Sequence, residues 1–548
     1  MTYWNRDGRL RLSFTLVLLL MLGCGGGGSS SSAAGGQTPP PAAVVDVSAI
    51  VASDPGSALP ADWQTGTFIE IYVRGYKDSD GDGIGDLKGL TQSLDYLKDL
   101  GVTGIWLMPV TASQDHDHGY AVSDYRNIEA QYGTLADFDE LVRQAHIRGI
   151  GVIIDYVMNH SGSNNPLFTH AKAAATDSYR DWYIWQTAKP SGWNIYGNDP
   201  WRRTGTGYYF GAFSDQMPDF NLRNAAVIDY HRNSMRFWLN RGVDGFRFDA
   251  VGNLVENGPG AWEDQPENYV IMGNVRALLD GYAQRYMVCE GPADPIGFAA
   301  TTACRSAFAF GHNNDIVNAA KGNAAAILAV ADYFRTAPTT IATMVSNHDA
   351  FAGDRLYDQV GGNLAQYRLA AATYLLQPGT PFIYYGEEIG MSGNAALGGD
   401  WKLRTPMSWS ANSITAGFTT GTPFRALSGN VASNNVAAEQ RDPTSLFGFY
   451  KALIALRKTL PSLASGSYLN PTVSGSTLSF QRMLGNELTV VVINYGNSAA
   501  TAVVDGLPAN AVLTDAYGAG TGTLTASAIG SATFTVPAQS CVVYWTRS

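Results

Sequence analysis

Leu135-Ala-Asp-Phe-Asp-Glu-Leu-Val-Arg-Gln-Ala-His-Ile-Arg148, then Gly151-Val-Ile-Ile-Asp155-Tyr156-Val-Met-Asn159-His160, reads as an amphipathic helix followed by a buried β-branched strand that ends in polar groups. The same unit repeats on both sides of it. Apolar strands are predicted at Phe68–Val73, Gly104–Met108, Gly245–Asp249, Tyr286–Cys289, Thr343–Ser346 and Pro381–Tyr384, with helices such as Leu87–Leu100 and Ala225–Arg241 between them. Alternating β and α units with strands apolar throughout imply a parallel sheet covered by helices. The predicted fold class is α/β, a (β/α)8 TIM barrel. Its eighth strand is weak in the pattern and is expected near Ser306–Phe310. The site is then expected on the loops after the strand ends.

The flanks differ. Arg6, Arg9 and Arg11 precede an apolar run, Phe14–Leu22, too short to span a bilayer. Met21-Leu-Gly-Cys24 resembles a bacterial lipobox, which makes residues 1–23 a lipoprotein signal peptide and Cys24 the lipidated terminus; an ordinary secretory signal is the alternative. Residues 24–62, rich in Gly and Ser and then in Pro and Ala, read as a flexible linker. The barrel is assigned to 63–460, with a small inserted domain after strand 3 over about 161–221. The insert is dense in aromatics such as Trp182, Trp193, Trp201 and Phe210, which suit either sugar stacking or a core of its own. After a helix at Leu446–Lys458 the pattern alternates over Thr477–Arg482, Glu487–Asn494, Ala500–Val504, Thr533–Val536 and Cys541–Trp545, predicting a C-terminal antiparallel β-sandwich over 461–548.

A net charge of −11 argues against nucleic acid or anionic lipid as partner, since either needs a basic surface, so membrane contact is expected only through the lipid anchor. The chain is expected to be exported and held on the cell envelope. With Cys24 lipidated, Cys289, Cys304 and Cys541 remain; a Cys289–Cys304 bridge and buried free thiols are both open.

Four predicted strands deliver polar groups to one rim: Asp155 to His160, Arg247-Phe-Asp249, Cys289-Glu290-Gly291 and Asn347-His348-Asp349. One buried carboxylate is a common structural feature. Several converging on one barrel face are costly and call for a chemical use. These segments, in this order, resemble the conserved regions of the α-amylase family of glycoside hydrolases over about Phe68–Trp545. The resemblance implies retaining hydrolysis, with Asp249 as nucleophile, Glu290 as acid and then base, and Asp349 binding sugar hydroxyls. It implies that Arg247 keeps Asp249 ionised, that Asp155 supports Arg247, and that Tyr120, His160, His348 and Asp117 bind substrate.

Asp78-Ser-Asp80-Gly-Asp82-Gly-Ile84-Gly-Asp86 places oxygen donors at every second residue, with Ile84 offering its carbonyl. It resembles the loop after the first strand in oligo-1,6-glucosidase-like members of the family and implies a structural Ca2+; a charged turn without metal is the alternative. Gly252-Asn253 stands where typical α-amylases carry Lys-His, which removes support for a second calcium site at Asn159. Met217-Pro-Asp-Phe-Asn221 resembles a marker of the group between neopullulanase-like and oligo-1,6-glucosidase-like members, and Arg404-Thr-Pro-Met407 resembles an oligo-1,6-glucosidase segment. The expected function is α-amylase-type cleavage of α-1,4 bonds in starch or maltooligosaccharides. The alternatives are an α-glucosidase, neopullulanase or transglycosylase using the same carboxylates, and a non-catalytic glycan-binding lipoprotein.

Overall fold

The computed structural model describes residues 46–518 and 522–547; the expected signal peptide and Cys24 lie outside them. Seven parallel strands form one sheet: β1 Phe68–Ile71, β2 Gly104–Leu107, β3 Gly151–Tyr156, β4 Gly245–Phe248, β5 Tyr286–Cys289, β7 Ala342–Thr343 and β8 Thr380–Tyr384. The eighth position, β6, is residues 306–309, which join β5 and β7 through the bridges Cys289↔Ala307 and Phe308↔Ala342. Four backbone hydrogen bonds of 2.8–3.1 Å link this segment to Cys289 and Ala342, and β1 pairs with β8, so the ring closes. Its sequence, Ser306-Ala-Phe-Ala-Phe310, lacks β-branched residues, which is why its strand signal is faint.

The barrel interior is filled by Phe68, Trp106, Ile153, Val288, Phe308 and Phe382, with Trp63 seated beneath them. Gly104 and Gly151 make room for this filling. A Cβ at Gly104 would lie 2.4 Å from the Phe68 ring, and one at Gly151 2.4 Å from the Trp63 ring. The outer faces of the strands pack on the helices in a separate, larger core.

The helices match expectation to within a residue or two at Leu135–Ile147, Ala225–Asn240 and Leu446–Thr459. The predicted helix Leu87–Leu100 is instead two, Leu87–Gln92 and Leu94–Leu100. Ser93 separates them: its hydroxyl donates to the Gly89 carbonyl at 2.9 Å, a side-chain bond that competes with the regular ladder. In the insert, Trp185–Gln186, Trp201–Thr204 and Gly207–Phe210 form a three-stranded sheet around Ile195, Trp201 and Phe210. Most of its aromatics are therefore core; Tyr196 remains exposed.

Residues 46–62, expected within the flexible linker, differ from that reading. Ile50 and Ser53 donate backbone N–H groups to Asn233 and Asn240 on helix Ala225–Asn240, each at 2.9 Å. Asp54 pairs with Arg285 at 3.2 Å. Side-chain amides hold this strap, and they leave no periodic pattern in its own sequence.

The C-terminal region contains a six-stranded sheet, ordered Ser467–Ser474, Thr477–Leu484, Glu487–Asn494, Ser540–Arg547, Val512–Tyr517, Thr523–Thr525, facing a pair formed by Ala500–Val504 and Ala532–Val536. Val490, Val492, Phe534 and Val542 fill the space between the two sheets. The other face of the larger sheet, through Leu478, Phe480, Val491 and Ile493, joins the helical core of the barrel.

Candidate active site

Each rim residue is placed by a strand end. β4 carries Arg247 and runs into Asp249, and their alternation along the strand points both side chains the same way. The Asp249 backbone N–H donates to the Tyr156 carbonyl at 3.2 Å, and Glu290 N–H to Phe248 at 2.9 Å. Thus β3, β4 and β5 set these carboxylates in register. Ala250 then adopts a left-handed conformation, φ 47°, a strained turn for a residue with a Cβ. That turn directs its N–H to Glu290 Oε2 at 3.3 Å.

Arg247, 1% exposed, is the hub. Its Nη1 donates to Asp155 at 2.8 and 2.9 Å and to Asp249 Oδ1 at 2.7 Å, while Nη2 donates to Glu290 Oε2. The carboxyls of Asp249 and Glu290 are therefore within the span of a single guanidinium. Burial raises both; Arg247 opposes the rise, leaving Asp249 at about 6 and Glu290, further lifted by Asp249 and Asp349, at about 7.

A second cluster faces the first. His348 bonds Glu70 through Nδ1 at 2.5 Å and reaches Asp349 with Nε2 at 3.1 Å. Burial alone would depress its pKa, but the charges of Asp349 and Glu70 raise it to about 10, so the ring is an imidazolium at neutral pH. Asp349 is pushed up by burial, yet His348 and Arg404 hold it well below the ordinary carboxylate range. Arg404 fixes this geometry, donating to the His348 carbonyl at 3.0 Å and to Asp349 Oδ1 at 2.8 Å. Tyr120 ties the clusters together. Its hydroxyl contacts Asp155 at 2.9 Å and His348 at 2.7 Å, and its ring lies parallel to the His348 ring, centroids 5.5 Å apart. His160 is neutral, burial lowering its pKa to about 3, and its Nε2 is buried without a hydrogen-bond partner.

The Alpha amylase, catalytic domain family matches residues 70–466. This chain belongs to the α-amylase family. It is a glycoside hydrolase by that membership, and it is 33% identical over 446 residues to Alpha-amylase 3 of Dictyoglomus thermophilum, covering 79% of this chain and 85% of the relative. It is 31% identical over 511 residues to the Oligo-1,6-glucosidase of Parageobacillus thermoglucosidasius, covering 79% and 90%. The trehalulose synthase of Pseudomonas mesoacidophila superposes with a TM-score of 0.76 at 27% identity, over 88% of this chain and 99% of that one.

In this member of the α-amylase family, Asp117 stands apart from the carboxylates around Arg247. Its Oδ1 accepts from the Tyr72 hydroxyl at 2.5 Å and from Arg425 Nη2 at 2.7 Å. Arg425 comes from the long segment after β8 and packs against Phe424 and Trp401. The pair bridges the loops after β2 and β8 beside Arg404. Glu70, Tyr72 and Arg425 also contribute to this site, and nothing in the sequence pattern singles them out. Glu70 and Tyr72 lie inside or just after an apolar strand, where alternation gives no hint. The Arg404-Thr-Pro-Met407 segment stands out in the sequence without revealing the contact with Asp349.

The acidic loop after β1 is built differently from its sequence pattern. Asp78, Asp80 and Asp86 each bring an oxygen within 4.8 Å of one another. Asp82 is outside this group; its Oδ1 accepts the Ile84 N–H at 2.8 Å, closing its own turn. Gly83, at φ +92°, passes so close to Thr422 that a Cβ would sit 1.9 Å from its carbonyl oxygen. Three carboxylates, two of them buried, form a hard oxygen donor set that fits a divalent cation of the calcium or magnesium type.

Proposed function

We propose that this chain is a retaining hydrolase of α-1,4-glucosidic bonds in maltooligosaccharides and starch ends, acting from the non-reducing terminus. The observation that carries the retaining part is the shared guanidinium. Retaining enzymes need carboxyls roughly 5–5.5 Å apart, whereas inverting ones need room for a water between them, and a single Arg247 reaches both Asp249 and Glu290.

In the first step Asp249 attacks the anomeric carbon and Glu290 gives its proton to the leaving glycosidic oxygen as that bond breaks. The leaving chain departs with a new hydroxyl, and the glucosyl group stays on Asp249 as an ester. Glu290, now a carboxylate, takes a proton from water, whose oxygen attacks the anomeric carbon from the side the leaving chain vacated. Asp249 is released, and the sugar leaves with its configuration retained. Asp349, His348 and His160 bind hydroxyls of the reacting sugar, and Tyr120 supports its ring.

Terminal action rests on the Arg425–Asp117 ion pair. A chain extending beyond the reacting glucose would have to pass this bridge between loops. Digestion of maltoheptaose followed by NMR tests both parts: glucose released first as the α-anomer supports the reading, and first-formed β-anomer refutes retention. An early mixture of maltose and maltotriose refutes terminal action and favours internal, α-amylase-type attack, a second reading supported by the 33% identity to Alpha-amylase 3. Arg425→Ala is expected to shift products toward such mixtures. We further propose that Asp78, Asp80 and Asp86 hold a structural Ca2+, which supplies charge balance to the loop and takes no part in the chemistry. Export and lipid attachment at Cys24 rest on the Met21-Leu-Gly-Cys24 pattern.

A further inference from the structure

Cys289 and Cys304 form a disulfide that closes the loop carrying Glu290. We infer that this disulfide is a positioning element for the general acid, holding Glu290 where β5 meets β6, a segment joined to each neighbour by a single bridge. The inference rests on the reading of Glu290 as the acid.

Three observations carry it. First, β5 is paired with β4 over four residues, Tyr286 to Cys289, but on its other side it meets β6 only at the Cys289↔Ala307 bridge. Backbone pairing there consists of Cys289 N–H to Ser306 at 3.1 Å and Phe308 N–H to Cys289 at 3.0 Å. Second, the covalent link starts at the residue immediately before Glu290, so rotation or sliding of the β5 end would carry the carboxyl with it. Third, the loop it closes has its own packing: Phe298 stacks on Tyr269 with centroids 4.4 Å apart, lies against Gly291, and accepts the Cys304 N–H at 3.0 Å. The bridge thus clamps both ends of a wedge whose first residue is the acid. A misplacement of about 1 Å in such a group can cost roughly 100-fold in rate.

The test separates positioning from general stability by the leaving group. Maltose needs its departing oxygen protonated. In α-glucosyl fluoride the C–F electrons leave with fluoride as Asp249 attacks, and kcat/KM reports only steps up to the glucosyl-enzyme. Cys304→Ala and Cys289→Ala/Cys304→Ala are compared with wild type well below their melting temperatures, together with wild-type chain made as the dithiol and then oxidised. The expected result is a roughly 10- to 100-fold loss of kcat/KM on maltose with fluoride turnover within about 3-fold, a displaced alkaline limb of the maltose pH profile, and recovery when the wild-type dithiol is oxidised. Equal losses on both substrates, or no loss, overturn the inference. So does a chain that folds only with the bridge, because its role is then stability. Glu290→Gln is the control: if it loses fluoride and maltose activity alike, the assignment of the acid fails; if it loses maltose alone while the bridge variants do not, only the positioning role fails.

Discussion

Replacing Arg247 by Lys keeps a positive charge in the site but removes the fork that serves three carboxylates. In the wild-type site Nη1 is shared by Asp155 and Asp249, and Nη2 belongs to Glu290. A single ammonium on a flexible stem cannot occupy both positions. Asp155, which contacts the guanidinium through both oxygens, is expected to retain it. Asp249 and Glu290 then each lose a charge-assisted hydrogen bond, about 1.5–3 kcal/mol, or about one to two pKa units at 1.36 kcal/mol per unit. The sign is the same for both groups, because Arg247 favours each ionised form. With Asp249 as the proposed nucleophile and Glu290 as the proposed acid, the acidic limb of the pH–rate curve moves up from about 6 and the alkaline limb moves up from about 7. The assay is kcat/KM for maltose across pH 4–10, with circular dichroism to verify folding. The optimum should shift upward by about one to two units, with about a 10- to 100-fold loss at the acidic end. A folded variant whose optimum stays in place or moves down refutes the role given to Arg247.

Asp249→Asn should lower hydrolysis of maltooligosaccharides by at least about 1000-fold while leaving the fold intact; near-normal turnover would remove the nucleophile. A chelator should lower the melting temperature of the wild type but not of Asp80→Asn, with little change in low-temperature activity for either; an unaltered wild-type melt argues against bound calcium. Cys541 is buried, with its thiol pushed up to about 12, so peptide mapping should find it unmodified by iodoacetamide in native protein and modified after unfolding. Rapid native labelling would contradict that burial.

Much of this architecture is legible from sequence because buried apolar strands and the polar groups at their ends coincide. The predicted limits of Tyr286–Cys289 agree with the structure, since it is an apolar run stopped by Glu290, and the strand expected to start at Gly151 does so and ends at Tyr156. Asp155, Arg247, Asp249, Glu290, His348 and Asp349 are found together because each lies near or just beyond the C-terminal end of such a run. What escapes is held by geometry without periodicity. β6 is a run of Ala and Phe defined by its neighbours, and the strap 46–62 is fixed by side chains nearly 200 residues away. Ser467–Ser474, interrupted by Pro471, lies at a sheet edge and exposes too many positions to alternate cleanly. Asp117 could be placed in the right loop from sequence, but its partner Arg425 lies 308 positions further on and no spacing rule connects them.

The strand Glu487–Asn494 is buried at every residue, with one row of side chains turned to the smaller sheet and the other to the barrel helices. Such a slab has no wet side on which to part. Cutting the chain near residue 466 would therefore bare oily surface on both fragments, and heat should melt the enzyme in one cooperative step instead of shedding its tail first.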